Sequence, residues 1–352
     1  MHKRKRSPLR RGIFILCALV VIVLVVFGTL FIIPQGPASA GAASVTLDSD
    51  VDVVVAMLRE QGVLRYATAF RVALALRGGQ IQGGRYEISP HLSVWSLVHL
   101  VTTTQPRAER TLTIIEGWNL RDIGHYLEIE GIAQAEELHE LVGFPAMDYR
   151  NAEPAIPRPT HNFDVEFPFL TERPEFVGFE GYLFPDTYRV FEDATVEDIV
   201  TKMLRHFDTQ MTLVLREEIA ASGRTLHQVV TMASIIEEEV ADDAARPIVA
   251  DILWKRRDQG WLLQADSTVN YVTGKSDART LFADHAVDSS FNTYRYAGLP
   301  RGPISNPGMA SILAAIRPEP SPYWFFLTAP DGTMHYARTL DEHNANIRKY
   351  LR

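Results

Sequence analysis

Residues 225–240 read Thr-Leu-His-Gln-Val-Val-Thr-Met-Ala-Ser-Ile-Ile-Glu-Glu-Glu-Val, and this stretch predicts an amphipathic helix. Thr225 is followed three residues later by Gln228, which is typical of a capping box at the start of a helix. At about 100° per residue, six apolar side chains fall within one arc: Leu226, Val229, Val230, Ala233, Ile236 and Val240. The pattern therefore predicts an amphipathic helix with its apolar arc turned toward the core.

Glu237 is the one acid of this stretch that lies near the apolar arc. It follows Ala233 by four residues and Val230 by seven, which places it roughly 45° from the centre of the arc. We expect Glu238 to point nearly opposite and Glu239 to turn toward solvent. Because an apolar surrounding favours the neutral carboxyl group that a general acid needs, we predict Glu237 to be the catalytic acid. Glu239 is the reserve candidate if the helix is rotated.

The N-terminus carries a strong membrane signal. The first eleven residues hold six cations and no acid, and an apolar run follows from Ile13 to Ile33, about the length that crosses a bilayer. A positive flank stays in the cytoplasm. A cleaved signal peptide ending near Ala38-Ser39-Ala40 is the alternative, but the apolar run exceeds the usual signal core of about 7–15 residues. We therefore predict a single-pass anchor in the cytoplasmic membrane, with the catalytic part on its outer, periplasmic or extracellular, side.

Composition excludes several classes of function. Taking the six N-terminal cations from the 35 Lys and Arg leaves 29 against 43 acids, a net charge of −14 that argues against a nucleic-acid partner. The single cysteine, Cys17, lies in the apolar run, so the rest of the chain has no disulfide and no thiol nucleophile. No cluster of His, Cys and Asp has metal-ligand spacing, and no glycine-rich phosphate loop occurs. We predict neither a metal nor a cofactor.

The 352 residues are long enough for two or three domains, and the overall pattern predicts an α+β fold. We divide the chain into a cytoplasmic basic tail (1–11), a transmembrane helix (12–33), a linker (34–47), a small α+β module (48–108), a connecting α+β segment with a Pro-rich insertion (109–177) and a larger α+β catalytic domain (178–352). Three local features are expected: a strand over residues 84–89, a second over residues 111–115 and a hairpin turn at Asp331-Gly332.

A glutamic acid with a raised pKa, in an external protein without metal or thiol, points to cleavage of a glycosidic bond. A hydrolase would need a second carboxylate, for which Asp266 is the best candidate, with Glu180 and Asp186 behind it. One glutamate suffices if the sugar supplies its own nucleophile: in peptidoglycan the C6 hydroxyl of N-acetylmuramic acid can attack C1 and give a 1,6-anhydro ring.

Two other classes of function remain open at this point. Serine hydrolysis would use Ser234 with one of the histidines at positions 227, 285 and 335, but neither Gly-x-Ser-x-Gly nor Ser-x-x-Lys occurs. A non-catalytic wall-binding protein would tolerate replacement of Glu237 by Gln without loss of function.

The order of the motifs resembles that of the MltG (YceG-like) endolytic murein transglycosylases. Ala233-Ser-Ile-Ile-Glu-Glu-Glu239 looks like their signature, and the other matching motifs are Gly84-Arg-Tyr86, Ile115-Glu-Gly117, Glu180-Gly-Tyr-Leu-Phe-Pro-Asp-Thr-Tyr188, Gln264-x-Asp266-x-Thr268, Asn292-Thr-Tyr294, Gly298-Leu-Pro300, Gly302-Pro-Ile304, Asn306-Pro-Gly308, Asp331-Gly332 and Glu342-His-Asn344.

The resemblance implies a single-pass membrane protein in which the small module is LysM-like and the large domain cuts glycan strands internally, limiting the length of nascent strands beside the peptidoglycan synthases. It implies Glu237 as the acid/base, and a groove lined by five residues: Asp266, Asn292, Tyr294, Glu180 and Tyr188. The chain departs from the family pattern where Glu238 stands for a usual basic residue and Ser267 for a common Pro. These departures bear on substrate preference, not on the class of reaction.

Overall fold

The structure is a computed structural model that describes residues 21, 28, 32, 43–89, 91–103, 108–150, 156–275 and 283–351. The chain divides into two units, Met1–Glu109 and Arg110–Arg352. Each unit has its own cluster of buried apolar side chains, and the two clusters share no residue.

The first unit is built on two antiparallel strands that enclose two helices in sequence. Strand β1 (Ala43–Leu47) is followed by α1 (Val51–Glu60), α2 (Ala67–Arg77), strand β2 (Gly84–Ile88) and α3 (Val94–Thr103). β1 and β2 pair from Ala43 opposite Ile88 to Leu47 opposite Gly84. Alternate side chains of both strands are buried, as expected for a sheet with one face on a core. The predicted strand near residues 84–89 is confirmed.

The second unit contains all but the first residue of strand β3 (Glu109–Thr113), which pairs with β4 (Thr187–Phe191). Between them lie α4 (Leu120–Ile129), α5 (Ala135–Val142) and a short 3-10 helix, Pro168–Glu172. Prolines break this stretch into loops, yet four of its apolar side chains are buried in the main core: Phe163, Phe167, Phe169 and Leu170. The Pro-rich stretch therefore contributes to the core in addition to connecting two strands.

The rest of the second unit is mostly helical. Its elements are α6 (Val196–Gln210), α7 (Leu213–Ala221), α8 (Leu226–Glu239), α9 (Arg246–Asp258), α10 (Asp266–Thr273), a 3-10 helix (Asp284–Ala286), α11 (Met309–Ile316), the antiparallel strands β5 (Phe325–Thr328) and β6 (Met334–Ala337), and α12 (Leu340–Tyr350). The hairpin turn predicted at Asp331-Gly332 joins β5 and β6.

Helix α8 is the helix predicted over residues 225–240, and its capping box is confirmed. The Thr225 side chain accepts from the Gln228 N–H, and the Gln228 side chain accepts from the Thr225 N–H, both at 3.2 Å. The predicted amphipathic pattern is wrong. Every residue from Leu226 to Ile236 except Gln228 is buried, because α8 contacts α7, α9, α10 and α11. A helix enclosed by neighbours has no solvent face over most of its length.

The predicted fold class needs one correction, because its single transmembrane helix over residues 12–33 is not supported. In the part of the chain that the structure describes, no helix is long and apolar enough to cross a membrane. The predicted basic tail and helix, with most of the linker, lie outside the described residues apart from positions 21, 28 and 32. The boundaries of the six predicted segments stay predictions.

Candidate functional site

A cleft of about 1060 Å³ opens beside the C-terminal end of α8. Its walls come from the loop before α4, the ends of α8, α9 and α10, strand β5 and helix α12. The polar side chains that line it are Asn119, Arg121, Asp122, Glu238, Glu239, Arg256, Gln264, Asp266, Ser267, Asn270, Tyr271, Lys275, Tyr294, Thr328 and His343. Eight apolar side chains contribute: Ile304, Phe325, Phe326, Leu327, Ala329, Pro330, Leu340 and Leu351. A cleft of this size with mixed lining suits a ligand several rings long.

Glu239 is the acid that is held most firmly in the cleft. Its Oε1 accepts hydrogen bonds from the Ser267 Oγ at 2.7 Å and from the Ser267 N–H at 3.2 Å. Its Oε2 has no hydrogen-bond partner among the residues that the structure describes. Burial raises the pKa of Glu239, the bonds from Ser267 oppose this, and the nearby charge of Asp266 adds to the rise. One oxygen is therefore fixed while the other can face a ligand.

Glu238 also lines the cleft but is held less tightly. The residue as a whole is exposed, but protein atoms around its carboxyl group displace water there and raise its pKa to about 7, and the nearby charge of Glu237 adds to the rise. It lies against Gly117, at which a Cβ would come within 3.1 Å of Glu238 Oε1 and within 3.7 Å of Glu237 Cγ. The loop around Gly117 therefore crosses the end of α8 with no room for a side chain there.

Glu237, the predicted acid, lies outside the cleft lining, in a buried ion pair. Arg246 Nη2 donates to its Oε1 at 3.1 Å and Arg246 Nη1 to its Oε2 at 3.3 Å. The N–H of Gly308 donates to the same Oε2 at 3.0 Å. Both side chains of the pair are only 7% exposed. Three donors hold both oxygens of this carboxyl group in place, which suits a structural anchor better than a group that turns toward a ligand.

Asp266 and Tyr294, both predicted site residues, meet in the cleft. The Tyr294 hydroxyl donates to Asp266 Oδ1 at 2.6 Å, and this bond, after burial, contributes to a strongly raised pKa of Tyr294. The ring of His285 stacks on Tyr294 with centroids 3.8 Å apart, and its Nε2 lies 3.7 Å from Asp266 Oδ1. Asp266 and Tyr294 line the cleft next to Ser267, and His285 contacts both of them.

Glu180 lies within the core and does not line the cleft. Its Oε2 accepts from the Leu120 N–H at 3.1 Å and the Tyr271 hydroxyl at 2.9 Å, and its Oε1 accepts from Asn306 Nδ2 at 3.0 Å. Burial raises the pKa of Glu180 to about 8. The Asn306 amide also donates to the Trp118 carbonyl and accepts from the N–H groups of Gly181 and Leu183. This network joins the loop before α4, the motif at residues 180–188 and the loop before α11.

Three more candidates lie away from the cleft. The buried Asn292 amide donates to the carbonyls of His285 and Val287 and accepts from the Tyr294 N–H, so it shapes the loop that carries Tyr294. The buried Tyr188 hydroxyl donates to the Phe184 carbonyl. Asp186 pairs with His206 at 2.7 Å. The five predicted lining residues therefore split into two in the cleft and three that support its surroundings.

The residues of the other chemistries are engaged elsewhere. The Ser234 hydroxyl is buried, donates to the Thr231 carbonyl at 2.8 Å and accepts from the Ile304 N–H at 3.0 Å. His227 lies between the Tyr182 hydroxyl and the Arg301 carbonyl. Within the described ranges, no group of three or more His, Cys, Asp and Glu could hold a metal ion.

Sequence reasoning placed Glu239 on the solvent side, and the structure places it in the cleft. Glu239 follows Ile235 by four residues and Met232 by seven, so a second apolar arc runs along α8 beneath it. That spacing was the available signal. This second arc was overlooked because the first arc contains more apolar residues. A single core-facing direction also cannot describe a helix that is buried on several sides.

Comparison with known proteins agrees with these motifs. The model of the YceG-like family matches residues 44–349. The endolytic murein transglycosylase of Bacillus subtilis (strain 168) is 28% identical over 308 residues, which cover 86% of this chain and 82% of that protein. The enzyme of the same name from Streptococcus pneumoniae (strain ATCC BAA-255 / R6) is 24% identical over 317 residues, and the match spans 86% of this chain and only 57% of that protein.

A solved structure gives the same result. The 2.6 Å crystal structure of a yceG-like protein from Listeria monocytogenes aligns with a TM-score of 0.56 at 28% identity, covering 87% of this chain and 99% of the other. The family model spans most of the chain, including every side chain that lines the cleft up to His343. The chain belongs to the YceG-like family.

Proposed function

We propose that the chain is an endolytic murein transglycosylase. It cleaves the bond between N-acetylmuramic acid and N-acetylglucosamine within a peptidoglycan strand and leaves 1,6-anhydro ends. The family match and the two curated relatives of that name support the activity. The observation that carries the chemistry is the Glu239 carboxyl group, which is fixed through one oxygen at the wall of a large cleft.

The reaction needs one group that first gives and then takes a proton. In its neutral form Glu239 donates a proton to the glycosidic oxygen as the bond from that oxygen to C1 breaks. As a carboxylate it then accepts the proton of the C6 hydroxyl while O6 bonds to C1. No water is consumed, and the glutamate returns to its neutral form. Burial beside Asp266 favours the neutral starting state.

Hydrolysis remains the second candidate, because Asp266 lines the same cleft and could act on water as a second carboxylate. The two reactions differ in product mass. The products of transglycosylation together have the mass of the intact strand, because no water is added. The products of hydrolysis are together heavier by one water for each cut.

The first test compares three glutamine variants on purified glycan strands, with products weighed by mass spectrometry. We expect Glu239→Gln to lower cleavage by at least about 10²-fold, the scale of general acid catalysis. The cleavage rate of Glu238→Gln should remain within about tenfold of the wild-type rate. Glu237→Gln should lower thermal stability, because it removes the buried charge partner of Arg246 and leaves only the exposed Asp243 beside it, while the folded protein still cleaves.

The outcome separates the two assignments of the acid. Full activity in Glu239→Gln, with loss of activity in folded Glu237→Gln, would return the role to the residue predicted from the sequence. Intact strands after incubation with the wild type would instead support a wall-binding protein.

We also infer where the enzyme works and with what. Nascent strands lie on the outer side of the cytoplasmic membrane, and a net negative charge without cysteine outside the N-terminal region suits that side. There the enzyme acts beside the peptidoglycan synthases and limits strand length; in-cell cross-linking that recovers no synthase would contradict this partnership. The two helices between the antiparallel strands β1 and β2 support a LysM-like role for the first unit in holding glycan.

A further inference from the structure

Ser267 is the residue that fixes Glu239. It is the second residue of α10, so its N–H has no partner within the helix and is free to donate elsewhere. Both its N–H and its hydroxyl donate to the same atom, Glu239 Oε1, at 3.2 and 2.7 Å. The two bonds tie the last residue of α8 to the first turn of α10. They hold Oε1 of a residue that lines the cleft, and no described residue donates a hydrogen bond to Oε2.

We propose that Ser267 is a positioning residue that orients Glu239 for proton transfer and sets the upper pH limit of cleavage. This proposal rests on the acid/base role proposed above for Glu239. Hydrogen bonds to a carboxylate stabilise its charged form, and so they oppose the effect of burial. A glutamate without these bonds would hold its proton to higher pH but would also rotate more freely.

Other charged and titratable groups also face Glu239, and they are the same in the wild type and in every Ser267 variant. The nearest ones come from the elements around it: Asp266 on α10, Arg256 on α9, Tyr294 in the loop before α11 and Glu238 on α8. The cleft also holds Arg121, Asp122, Lys275 and His343. None of the variants below removes any of these groups, so a change in the pH profile reports the bonds from Ser267.

Three substitutions at position 267 differ in how many hydrogen-bond donors they leave for Glu239. Ser267→Ala removes the hydroxyl and keeps the N–H, and Ser267→Thr keeps both donors. Ser267→Pro removes both, and Pro is tolerated in the first turn of a helix; it is also the residue that the family pattern commonly has there. Thr273→Val is the matched control, because it removes a hydroxyl from the same helix whose bonds go to the carbonyls of Val269 and Asn270.

The experiment measures kcat/KM for cleavage of glycan strands against pH for the full-length wild type and these variants. The alkaline limb reports the pKa of the acid in the free enzyme. We expect it to move upward by about one pH unit in Ser267→Ala, since a hydrogen bond to a charged group has an effect of that order. It should move further in Ser267→Pro and coincide with the wild type in Ser267→Thr and Thr273→Val. The maximal rate should fall in the Ala and Pro variants.

The results separate this proposal from the function on which it rests. An unchanged alkaline limb in Ser267→Ala and Ser267→Pro, together with an inactive Glu239→Gln, overturns the role of Ser267 alone. An active Glu239→Gln overturns the assignment of the acid. An NMR titration of the Glu239 side-chain carboxyl carbon in the wild type and Ser267→Ala checks the same shift without any activity, and equal titration midpoints would contradict the proposal.

Discussion

At the scale of single residues, Glu180 is an acid of the motif at residues 180–188 whose hydrogen bonds all support the structure around the cleft. Its carboxyl group meets three donors that come from α4, α10 and the loop before α11. It is only 5% exposed. The acidic side chain therefore acts as a common acceptor for three segments that carry the cleft, and it does not reach the ligand itself.

We predict that Glu180→Gln destabilises the protein by about 1–3 kcal/mol, because the glutamine NH₂ group carries two hydrogens where the protonated carboxyl group carries one, and the additional hydrogen would face a donor. Chemical denaturation at pH 6 measures the change. The control is Glu175→Gln at an exposed position, which should stay within about 0.5 kcal/mol of the wild type. Equal stability of both variants would show that the three bonds are not needed.

The same residue gives the stability a pH dependence of known sign. The folded state raises the pKa of Glu180 from 4.5 to about 8, so at intermediate pH the folded protein holds a proton that the unfolded chain releases. Its contribution to stability is complete below about pH 4.5 and falls as pH rises toward 8. The stability advantage of the wild type over Glu180→Gln should therefore shrink across this range.

At the scale of elements, local patterns predicted what is decided locally. The capping box of α8, the strand at β2 and the hairpin turn before β6 each depend on a few neighbouring residues. Local patterns could not predict where the side chains of Glu237, Glu238 and Glu239 point, because that depends on which helices surround α8. Likewise, Glu180 and Asn292 were expected in the groove, since a sequence does not show which polar side chains will be enclosed by others.

Gly181 lies where neighbouring side chains leave no room for a Cβ atom. Its φ is +87°, and a Cβ there would lie 2.5 Å from Pro303 Cβ and 2.9 Å from Val230 Cγ1. We predict that Gly181→Ala destabilises the protein by roughly 3 kcal/mol or more, since backbone strain and overpacking add. Gly223→Ala is the matched control: its φ is +71° but nothing lies within 4 Å, so it should lose only about 1 kcal/mol. Similar losses in thermal melts of the two variants would argue against the steric contribution.

At the scale of the whole molecule, the chain contains two separate cores. Phe70 is fully buried in the first unit and Phe207 in the second. Each unit should therefore respond mainly to the loss of its own core residue. Sequence reasoning anticipated a small module followed by a larger domain, but it could not show which apolar residues share a core.

We predict that Phe70→Ala and Phe207→Ala each lower the stability of their own unit by about 3–5 kcal/mol. Hydrogen exchange should show lost amide protection in residues 43–103 for the first variant and in residues 110–351 for the second. If the first unit holds glycan, Phe70→Ala should also raise KM for long strands while the products keep their anhydro ends. Parallel loss of protection in both units would mean that they unfold as one.

The amide of Asn306 has a consequence for how this sequence can evolve. Its oxygen and nitrogen each serve two partners in three distant segments. No other side chain of that size offers two acceptor and two donor directions at once. Any lineage that replaces Asn306 has to change several partners in the same step, so we expect little neutral drift at this position even though the residue does not line the cleft.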